Sequence, residues 1–315
     1  MAYTVDILKE LVVTLFFVSY YFIEFWFYTI FPGWKYKKDI RGETVLVTGA
    51  GSGVGRLLAI QFARHGAKVV CTDINEKGNN ETVAELVTVA SNPDKVHGYT
   101  CDVSSRKEVY NLAEKIRQDV GSVSILVNNA GVAGSCKYVT ECQDDVMEKI
   151  MKVNALAHFW TVKAFLPGML RRNHGHLVTV ASSAGLTGGP KVADYCASKF
   201  AAIGFHQSVA LEIRAMESDV VTTLLCPGHI RTSMFEGFKM RFSLVPSLEP
   251  EQAVDLMMNA ILKNQEMLNI PKVLNLIIPF MTWFLPAKAS LQLSKFLGVF
   301  ECFDDVKPEV WSKGD

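Results

Sequence analysis

Short apolar runs rich in β-branched residues alternate with longer amphipathic segments through most of this 315-residue chain. Runs of the first kind predict strands, and apolar residues that recur every three to four positions predict helices. Alternating strands and helices are typical of a parallel sheet with helices on both faces. We therefore predict an α/β fold built on a doubly wound parallel sheet. Six strands are expected, within residues 44–48, 67–75, 96–104, 123–131, 176–183 and 220–228.

Three long helices follow from the same pattern in the second half of the chain. One is expected over residues 145–172 and another from Tyr195 to about Arg214. The segment 249–264 has the amphipathic pattern of a third.

The N-terminal segment is apolar all round, since residues 11–31 hold one ionisable side chain, Glu24. Its 21 residues are long enough to cross a bilayer as a helix. Basic residues directly after Pro32 and Gly33, among them Lys35, favour a cytosolic location for the rest of the chain. Ten aromatic rings in the segment suit a membrane interface instead, and a charge at the bilayer centre costs about 3 kcal/mol. We expect a membrane anchor that either spans the bilayer or lies at its surface.

The C-terminal segment 270–300 is apolar too, but prolines at 271, 279 and 286 interrupt it. A continuous spanning helix is therefore not expected. Two short helices that lie on a membrane, with lysines at the headgroups, are favoured narrowly. Packing on the domain or on a dimer partner is the alternative. The predicted division is an anchor over 1–38, a Rossmann-type domain over 39–265 and a hydrophobic extension over 266–315.

Composition excludes some classes of function. The formal net charge is zero and 20% of residues are charged, so nothing indicates a nucleic-acid surface. Seven scattered cysteines without a CxxC pair favour free thiols in a reducing compartment over a disulfide framework. The histidines are dispersed as well, and no metal site is expected.

A glycine-rich turn follows the first predicted strand and precedes a helix. Its glycines include Gly49, Gly53 and Gly55, with Gly51 between them. Such a turn brings the backbone close to a pyrophosphate, whose charge meets the helix N-terminus. Asp73 ends the second strand, where a carboxylate accepts hydrogen bonds from ribose hydroxyls and repels a 2′-phosphate. The position of Asp73 favours NAD over NADP as the cofactor. The alternative for the glycines is an ordinary surface turn, and the alternative for Asp73 is an ordinary turn residue.

The candidate chemistry lies in residues 178–199. Tyr195 and Lys199 are four positions apart, so they share one face of a helix. A phenol has a pKa near ~10, and a neighbouring ammonium favours its ionised form. Lys199 is expected to lower the pKa of Tyr195, while the hydroxyl of Ser182 holds a substrate oxygen. An exposed helix that carries an ordinary tyrosine and lysine is the alternative.

Two further polar positions and one apolar segment have more than one interpretation. Asp102 ends the third strand and either meets an adenine amino group or caps the next helix, and the N–H of Val103 serves adenine equally well. Asn154 lies among apolar neighbours inside a helix. It is either satisfied in the core or holds a water that relays protons to Lys199. The segment 229–248 is either an apolar substrate lid or ordinary loop packing.

In this order and spacing, the motifs TGAGSGVG, NNAG, YCASK and PG resemble the short-chain dehydrogenase/reductase family over residues 40–265. The resemblance implies a catalytic tetrad of Asn154, Ser182, Tyr195 and Lys199, with Tyr195 as the acid and base. The family spacing favours Ser182 over its neighbour Ser183. The implied cofactor is NAD. The implied cofactor-binding residues are Gly49, Ser52, Gly53, Val54, Gly55, Asp73, Asp102, Val103, Asn129, Ala130, Gly131, Tyr195, Lys199, Pro227, Gly228 and Thr232.

The phrases AHFWTVKAFLPGML and DYCASKFAAIGFH, together with the apolar N-terminus, resemble the membrane-bound branch that holds epidermal retinol dehydrogenases and 17β-hydroxysteroid dehydrogenases. Retinol dehydrogenases look most similar. The resemblance implies NAD-dependent oxidation of retinol to retinal on endoplasmic reticulum or lipid-droplet membranes, facing the cytosol, by a homodimer that contacts membrane lipids. Oxidation of a steroid alcohol is the alternative within the enzyme class, and a non-catalytic scaffold is the alternative outside it.

Overall fold

The computed structural model describes residues 2–30, 36–90, 92–242 and 245–306. The chain divides into two compact units, residues 1–38 and 39–315. The described part of the first unit contains one helix, α1 (Ala2–Ile30). None of the helices in the described ranges is both long and apolar enough to cross a membrane. The predicted helix end at Pro32 and Gly33, and Lys35, lie outside the described residues.

A sheet of seven parallel strands forms the centre of the second unit. Its order is β3-β2-β1-β4-β5-β6-β7, so the chain starts in the middle and winds outward in both directions. This confirms the predicted doubly wound parallel sheet. The strands are β1 (Thr44–Thr48), β2 (Lys68–Asp73), β3 (Val96–Thr100), β4 (Ile125–Asn128), β5 (His176–Val180), β6 (Val221–Pro227) and β7 (Met267–Ile270).

Helices cover both faces of the sheet. The core on one face joins the strands to α2, α3 and α8, and the core on the other joins them to α4, α6 and α7. In these six helices, the apolar residues form the face that packs into one of the two cores. The helices are α2 (Gly53–Arg64), α3 (Glu76–Val89), α4 (Arg106–Asp119), α5 (Asp144–Met151), α6 (Ala157–Arg171), α7 (Ala193–Ala215), α8 (Pro250–Leu262), α9 (Leu274–Pro279) and α10 (Ala287–Leu297).

The helix expected over 145–172 is not continuous. A π-helical turn, Lys152–Leu156, separates α5 from α6. Such turns are rare and often lie at functional sites, because they shift the register of the side chains that follow. Hydrophobic periodicity cannot reveal one extra residue in a turn, so the sequence predicts a single helix here.

The C-terminal segment differs from its prediction. Residues 267–270, assigned to the extension, form β7 and pair with β6 at the edge of the sheet. The chain then forms α9, a second π-helical turn Phe280–Phe284 and α10. A four-residue apolar run is too short to be distinguished from the apolar segment after it. The two short helices that the prolines indicated are present.

Candidate active site

The carboxyl ends of the central strands open into one cavity of about 790 Å³. In a doubly wound sheet this edge is where ligands bind. Ser182, Tyr195 and Lys199 line the cavity, as does every residue predicted to bind the cofactor. Asn154 is the one predicted site residue outside the lining.

The glycine turn forms the floor of the cavity at the end of β1. Gly49 has a φ of +67°, and a Cβ there would lie 2.7 Å from the Cα of Ala130. A Cβ on Gly55 would lie 2.0 Å from the carbonyl oxygen of Gly49. Only glycine fits either place, which leaves a bare backbone cradle directed at the N-terminus of α2. Backbone N–H groups and a helix N-terminus of this kind suit a pyrophosphate.

Asp73 connects this turn to the second strand. Its carboxylate accepts hydrogen bonds from the N–H groups of Gly51 and Asn75, each at 2.8 Å. The carboxylate is therefore fixed in orientation at the cavity wall, where sequence spacing predicted a ribose partner. These residues fit a dinucleotide.

Two other polar positions hold the cavity together. Asn129 donates through Nδ2 to the carbonyl oxygens of Thr48 and Gly49, at 2.9 and 3.2 Å. Asp102 accepts from the N–H of Ser104 at 2.9 Å. The residue that caps α4 is Ser105, which accepts from the N–H of Glu108. The alternative in which Asp102 caps that helix is therefore wrong.

The three chemical side chains converge as the sequence predicts. Lys199 Nζ lies 5.7 Å from the ring centroid of Tyr195 and donates to the carbonyl oxygen of Val180 at 3.4 Å. The hydroxyl of Ser182 acts on the phenol of Tyr195 to lower its pKa, and it donates to the carbonyl oxygen of Pro227 at 3.4 Å. The Ser182 hydroxyl also accepts from the N–H of Ala184 at 3.1 Å, which fixes its position at the end of β5.

The protonation of this group differs from the prediction. Burial raises the pKa of Tyr195 to about 12, against a lowering by the hydrogen bond with Ser182. Burial also lowers the pKa of Lys199 to about 8. Both side chains are less than a tenth exposed, and loss of water is the largest cause of both pKa shifts. The protein's own charges do not produce the predicted lowering of the tyrosine pKa.

Asn154 lies in the π-helical turn and is fully buried. Its amide accepts from the N–H of Val132 at 2.8 Å and donates to that residue's carbonyl at 2.9 Å and to the Ser198 hydroxyl at 3.0 Å. The side chain is thus satisfied within the core, as the first of the two interpretations expected. It lies directly behind the site, since a Cβ on Gly131 would be 3.4 Å from both Asn154 Oδ1 and Lys199 Nζ.

The far end of the cavity is apolar and aromatic. The ring of Phe235 meets the ring of Tyr195 edge to face, with 5.2 Å between centroids. The ring centroid of Phe303 lies 5.9 Å from that of Phe235 and 5.2 Å from that of Phe238. Phe235 and Phe238 belong to the predicted lid, whose Leu244 lies outside the described residues. Both line the cavity, which favours the lid over ordinary loop packing.

Sequence reasoning missed the contribution of residues 299–306, here called the C-terminal strap. Val299, Cys302 and Phe303 line the cavity. Ion pairs join the strap to its surroundings, from Asp304 to Lys191 and from Asp305 to Lys239. The only signal in the sequence is an apolar run beyond the last predicted helix, which does not distinguish a cavity wall from a membrane contact.

A backbone cradle for a dinucleotide, a buried tyrosine beside a lysine and a serine, and an apolar end define an oxidoreductase of the nicotinamide-dependent class. The chain belongs to the short-chain dehydrogenase family, whose profile, described as "short chain dehydrogenase", matches residues 43–241.

Several retinol dehydrogenases are similar to this chain over most of its length. Epidermal retinol dehydrogenase 2 of Mus musculus is 48% identical over 268 residues, which are 84% of this chain and 85% of that protein. The Homo sapiens protein of that name is 47% identical, over 86% and 87%. Retinol dehydrogenase 10 of Homo sapiens is 44% identical over 292 residues, 84% of this chain and 85% of that protein.

Solved structures share the fold. A short-chain dehydrogenase/reductase from Burkholderia phymatum in complex with NAD has a TM-score of 0.69 and 26% identity, over 81% of this chain and 96% of that one. A metagenomic short-chain oxidoreductase in complex with NADP has a TM-score of 0.61 and 23% identity, over 74% and 97%.

Proposed function

We propose that this protein oxidises retinol to retinal with NAD as the hydride acceptor. One observation carries the proposal. A single cavity runs from the glycine cradle, past Tyr195, to an aromatic wall that includes Phe235 and Phe303. A long apolar molecule with one alcohol group matches this arrangement, with its oxygen at Ser182 and its chain among the rings.

Each polar side chain has its own role in the proposed reaction. Ser182 orients the alcohol oxygen, and Tyr195 takes the hydroxyl proton as the carbon loses its hydride. Lys199 supplies positive charge beside the phenol and holds the ribose next to the nicotinamide, while Asn154 braces the backbone behind them. When bound, the nicotinamide ring supplies the hydride acceptor.

The choice of NAD over NADP rests on Asp73. Its carboxylate is held at the cavity wall by two backbone N–H groups. A fixed negative charge there favours ribose hydroxyls and repels a 2′-phosphate.

Retinol rather than a steroid is proposed because the similar relatives named above are retinol dehydrogenases. A 17β-hydroxysteroid carries its alcohol on a rigid ring system, and kcat/KM measured side by side on all-trans-retinol and estradiol separates the two.

Membrane association is part of the proposal. Besides the apolar N-terminal helix, the segment from α9 to α10 exposes Trp283 at 81%, Phe284 at 74% and Leu276 at 73%. Residues 267–300 include three lysines and no acidic residue. Exposed aromatic rings with basic flanks suit a membrane surface. We place the protein on endoplasmic reticulum or lipid-droplet membranes with this domain in the cytosol.

A homodimer through α6 and α7 completes the proposal. Both helices expose large apolar side chains, among them Phe159 at 39% and Phe200 at 46%. Sedimentation of the detergent-solubilised full chain tests it, since a monomer at all concentrations contradicts it.

The experiment that tests the function uses microsomes that express the full chain, given all-trans-retinol and NAD, with retinal measured by chromatography. Tyr195→Phe is the matched control, because it removes one hydroxyl. Retinal from the wild type alone supports the proposal. Absence of retinal in both, with NADH binding shown separately, contradicts the retinoid assignment, and equal retinal from both contradicts the role of Tyr195.

A further inference from the structure

The guanidinium of Arg56, on α2, lies against the glycine turn, and the proposed reaction gives it no role. Its Nη2 donates to the carbonyl oxygen of Gly51 at 2.8 Å and to that of Gly78 at 3.1 Å. Its Nε donates to Thr82 Oγ1 at 2.9 Å, and Nη2 also forms an ion pair with Glu81 at 3.2 Å. One side chain thus joins the glycine turn to three residues of α3.

The carboxylate of Asp73 is connected to the same group of hydrogen bonds. It accepts from the N–H of Gly51 at 2.8 Å. That N–H belongs to the peptide group whose carbonyl is that of Ala50, and this carbonyl oxygen accepts from Thr82 Oγ1 at 2.9 Å. The hydroxyl also reaches the carbonyl oxygen of Gly78, at 3.0 Å. A hydrogen-bonded path thus leads from the guanidinium, through the threonine hydroxyl and one peptide group, to the carboxylate.

Close backbone packing surrounds this path. A Cβ on Gly51 would lie 2.9 Å from the Cγ of Asp73, and a Cβ on Gly78 would lie 2.8 Å from the carbonyl oxygen of Gly51. Thr82 is fully buried. Carbonyl oxygens in such a place need a donor. The turn, and the carboxylate that it holds, are therefore expected to shift when the guanidinium is removed.

The charge of Arg56 could act on a nucleotide in a second way. An arginine stays charged at physiological pH, and a nearby arginine can accommodate a 2′-phosphate. Its ion pair with Glu81 is solvent-exposed and therefore weak. Two effects of opposite sign follow for the choice of nucleotide. Arg56 either holds the carboxylate that repels the phosphate or attracts the phosphate directly.

The hydrogen bonds favour the first effect. Nε and Nη2 of Arg56 both donate to acceptors of the protein. Among the described residues, Asp73 lines the cavity while Arg56 does not. The carboxylate is thus the group that a bound nucleotide would meet, and the guanidinium lies on the other side of the turn's backbone.

We propose that Arg56 is a positioning residue for the choice of nucleotide, which fixes through the glycine turn the Asp73 carboxylate that selects NAD over NADP. The inference rests on the proposed function, in which Asp73 faces the adenosine ribose.

The test measures the dissociation constants of NADH and NADPH with the detergent-solubilised full chain, from the fluorescence of the reduced nicotinamide. Arg56→Met keeps an unbranched side chain and removes the guanidinium. The dissociation constant for NADH should rise about tenfold while that for NADPH changes little, so the preference for NADH falls about tenfold. Direct attraction of the phosphate predicts the opposite sign, and a preference for NADH that rises in Arg56→Met overturns the proposal.

A double-mutant cycle shows whether Arg56 acts through Asp73. In Asp73→Asn the selecting charge is already absent, so the addition of Arg56→Met should change the nucleotide preference by less than about twofold. A change as large as the one in the wild-type background would mean that the two residues act independently, which also overturns the proposal.

Arg64→Met is the matched control, because it removes an exposed arginine from the last turn of the same helix. It should keep the wild-type preference. An Arg56→Met variant that melts at a lower temperature but keeps the wild-type preference would show a merely structural role and contradict the inference.

Two milder variants keep the test decisive if Arg56→Met does not fold. Arg56→Lys keeps the charge without the forked donor geometry, and Thr82→Val removes the hydroxyl between the guanidinium and the turn. Each should lower the preference for NADH by about threefold. Direct attraction of the phosphate predicts no such fall in either variant, and an unchanged preference in both overturns the proposal.

These binding measurements need no turnover, so they are separate from the test of retinol oxidation. If the wild type prefers NADH but forms no retinal, the retinoid assignment fails and the comparison of variants still decides the role of Arg56. If the wild type shows no preference for NADH, the selection of NAD by Asp73 and this inference fail together.

Discussion

Lys199 Nζ lies 5.7 Å from the ring centroid of Tyr195, and burial moves the pKa values of the two groups apart. The pKa of the phenol rises to about 12 and that of the ammonium falls to about 8. At neutral pH the tyrosine therefore keeps its proton and the lysine keeps its charge. The hydrogen bond from Ser182 is the interaction within the protein that favours phenolate.

Lys199→Met is expected to stabilise the fold while it abolishes activity. The folded pKa of about 8 is below the ordinary value of 10.5, so the unfolded chain binds more protons between these pH values. The lysine thus costs about 3 kcal/mol of stability below pH 8, and the cost disappears as the pH rises toward 10.5. Melting temperatures across this range should show the variant to be more stable than the wild type at pH 7. The difference between the two melting temperatures should shrink above pH 8. Lys77→Met, at an exposed position of α3, is the control and should show no such pH dependence.

Gly55→Ala is expected to disrupt the cofactor end of the cavity. Its Cβ would lie 2.0 Å from a backbone oxygen that has no room to move. We expect a loss of more than ~2 kcal/mol of stability and a weaker affinity for NADH, measured by denaturation and by fluorescence titration. Gly168→Ala, inside α6, should instead gain about 0.5–1 kcal/mol. If Gly55→Ala bound NADH as tightly as the wild type, the proposal that the glycine turn binds the cofactor would be contradicted.

Asp73→Asn is expected to relax the choice of cofactor. The amide keeps an oxygen that accepts from the N–H of Gly51, but it carries no charge to repel a 2′-phosphate. The ratio of kcat/KM for NADP to that for NAD should rise by about tenfold or more. Asp102→Asn removes the other cavity carboxylate at a strand end and should leave that ratio unchanged. A wild type that prefers NADP would contradict the assignment of Asp73.

Phe303→Ala is expected to weaken substrate binding without affecting the nucleotide. The ring contacts Phe235 and Phe238 at the apolar end of the cavity. Its removal should raise the KM for retinol by about tenfold, since apolar contact area is lost, while NADH affinity stays at the wild-type value. Tyr110→Ala, on α4, is the aromatic control. Equal effects on KM in both variants would mean that the strap only supports the fold.

The central strands and the glycine turn could be predicted closely from the sequence. The strands that end in Thr48, Asp73 and Asn128 are continuous apolar runs, which mark a sheet buried on both faces. Glycines mark the turn because close backbone packing admits no other residue. Ser182, Tyr195 and Lys199 could be identified since their order and spacing are themselves the signal.

The remaining features depend on contacts that no local pattern encodes. The π-helical turn around Asn154 adds no distinctive residue type, so neither the turn nor the direction of its amide could be predicted. The pKa of Tyr195 depends on burial by Phe235 and the strap, which are distant in the sequence. The role of Phe303 follows from the return of the chain after α10, past a segment whose composition alone suggests a membrane contact.

The wall that contacts the apolar end of the cavity is thus built from the last described residues of the chain, after the sheet is complete. Substitutions in the strap can alter the shape of the apolar end without touching a strand, the glycine turn or Tyr195. Within such a scaffold, substrate range and catalytic machinery can evolve separately. A protease that clips the chain before Val299 would remove this wall and leave the glycine turn and the sheet in place.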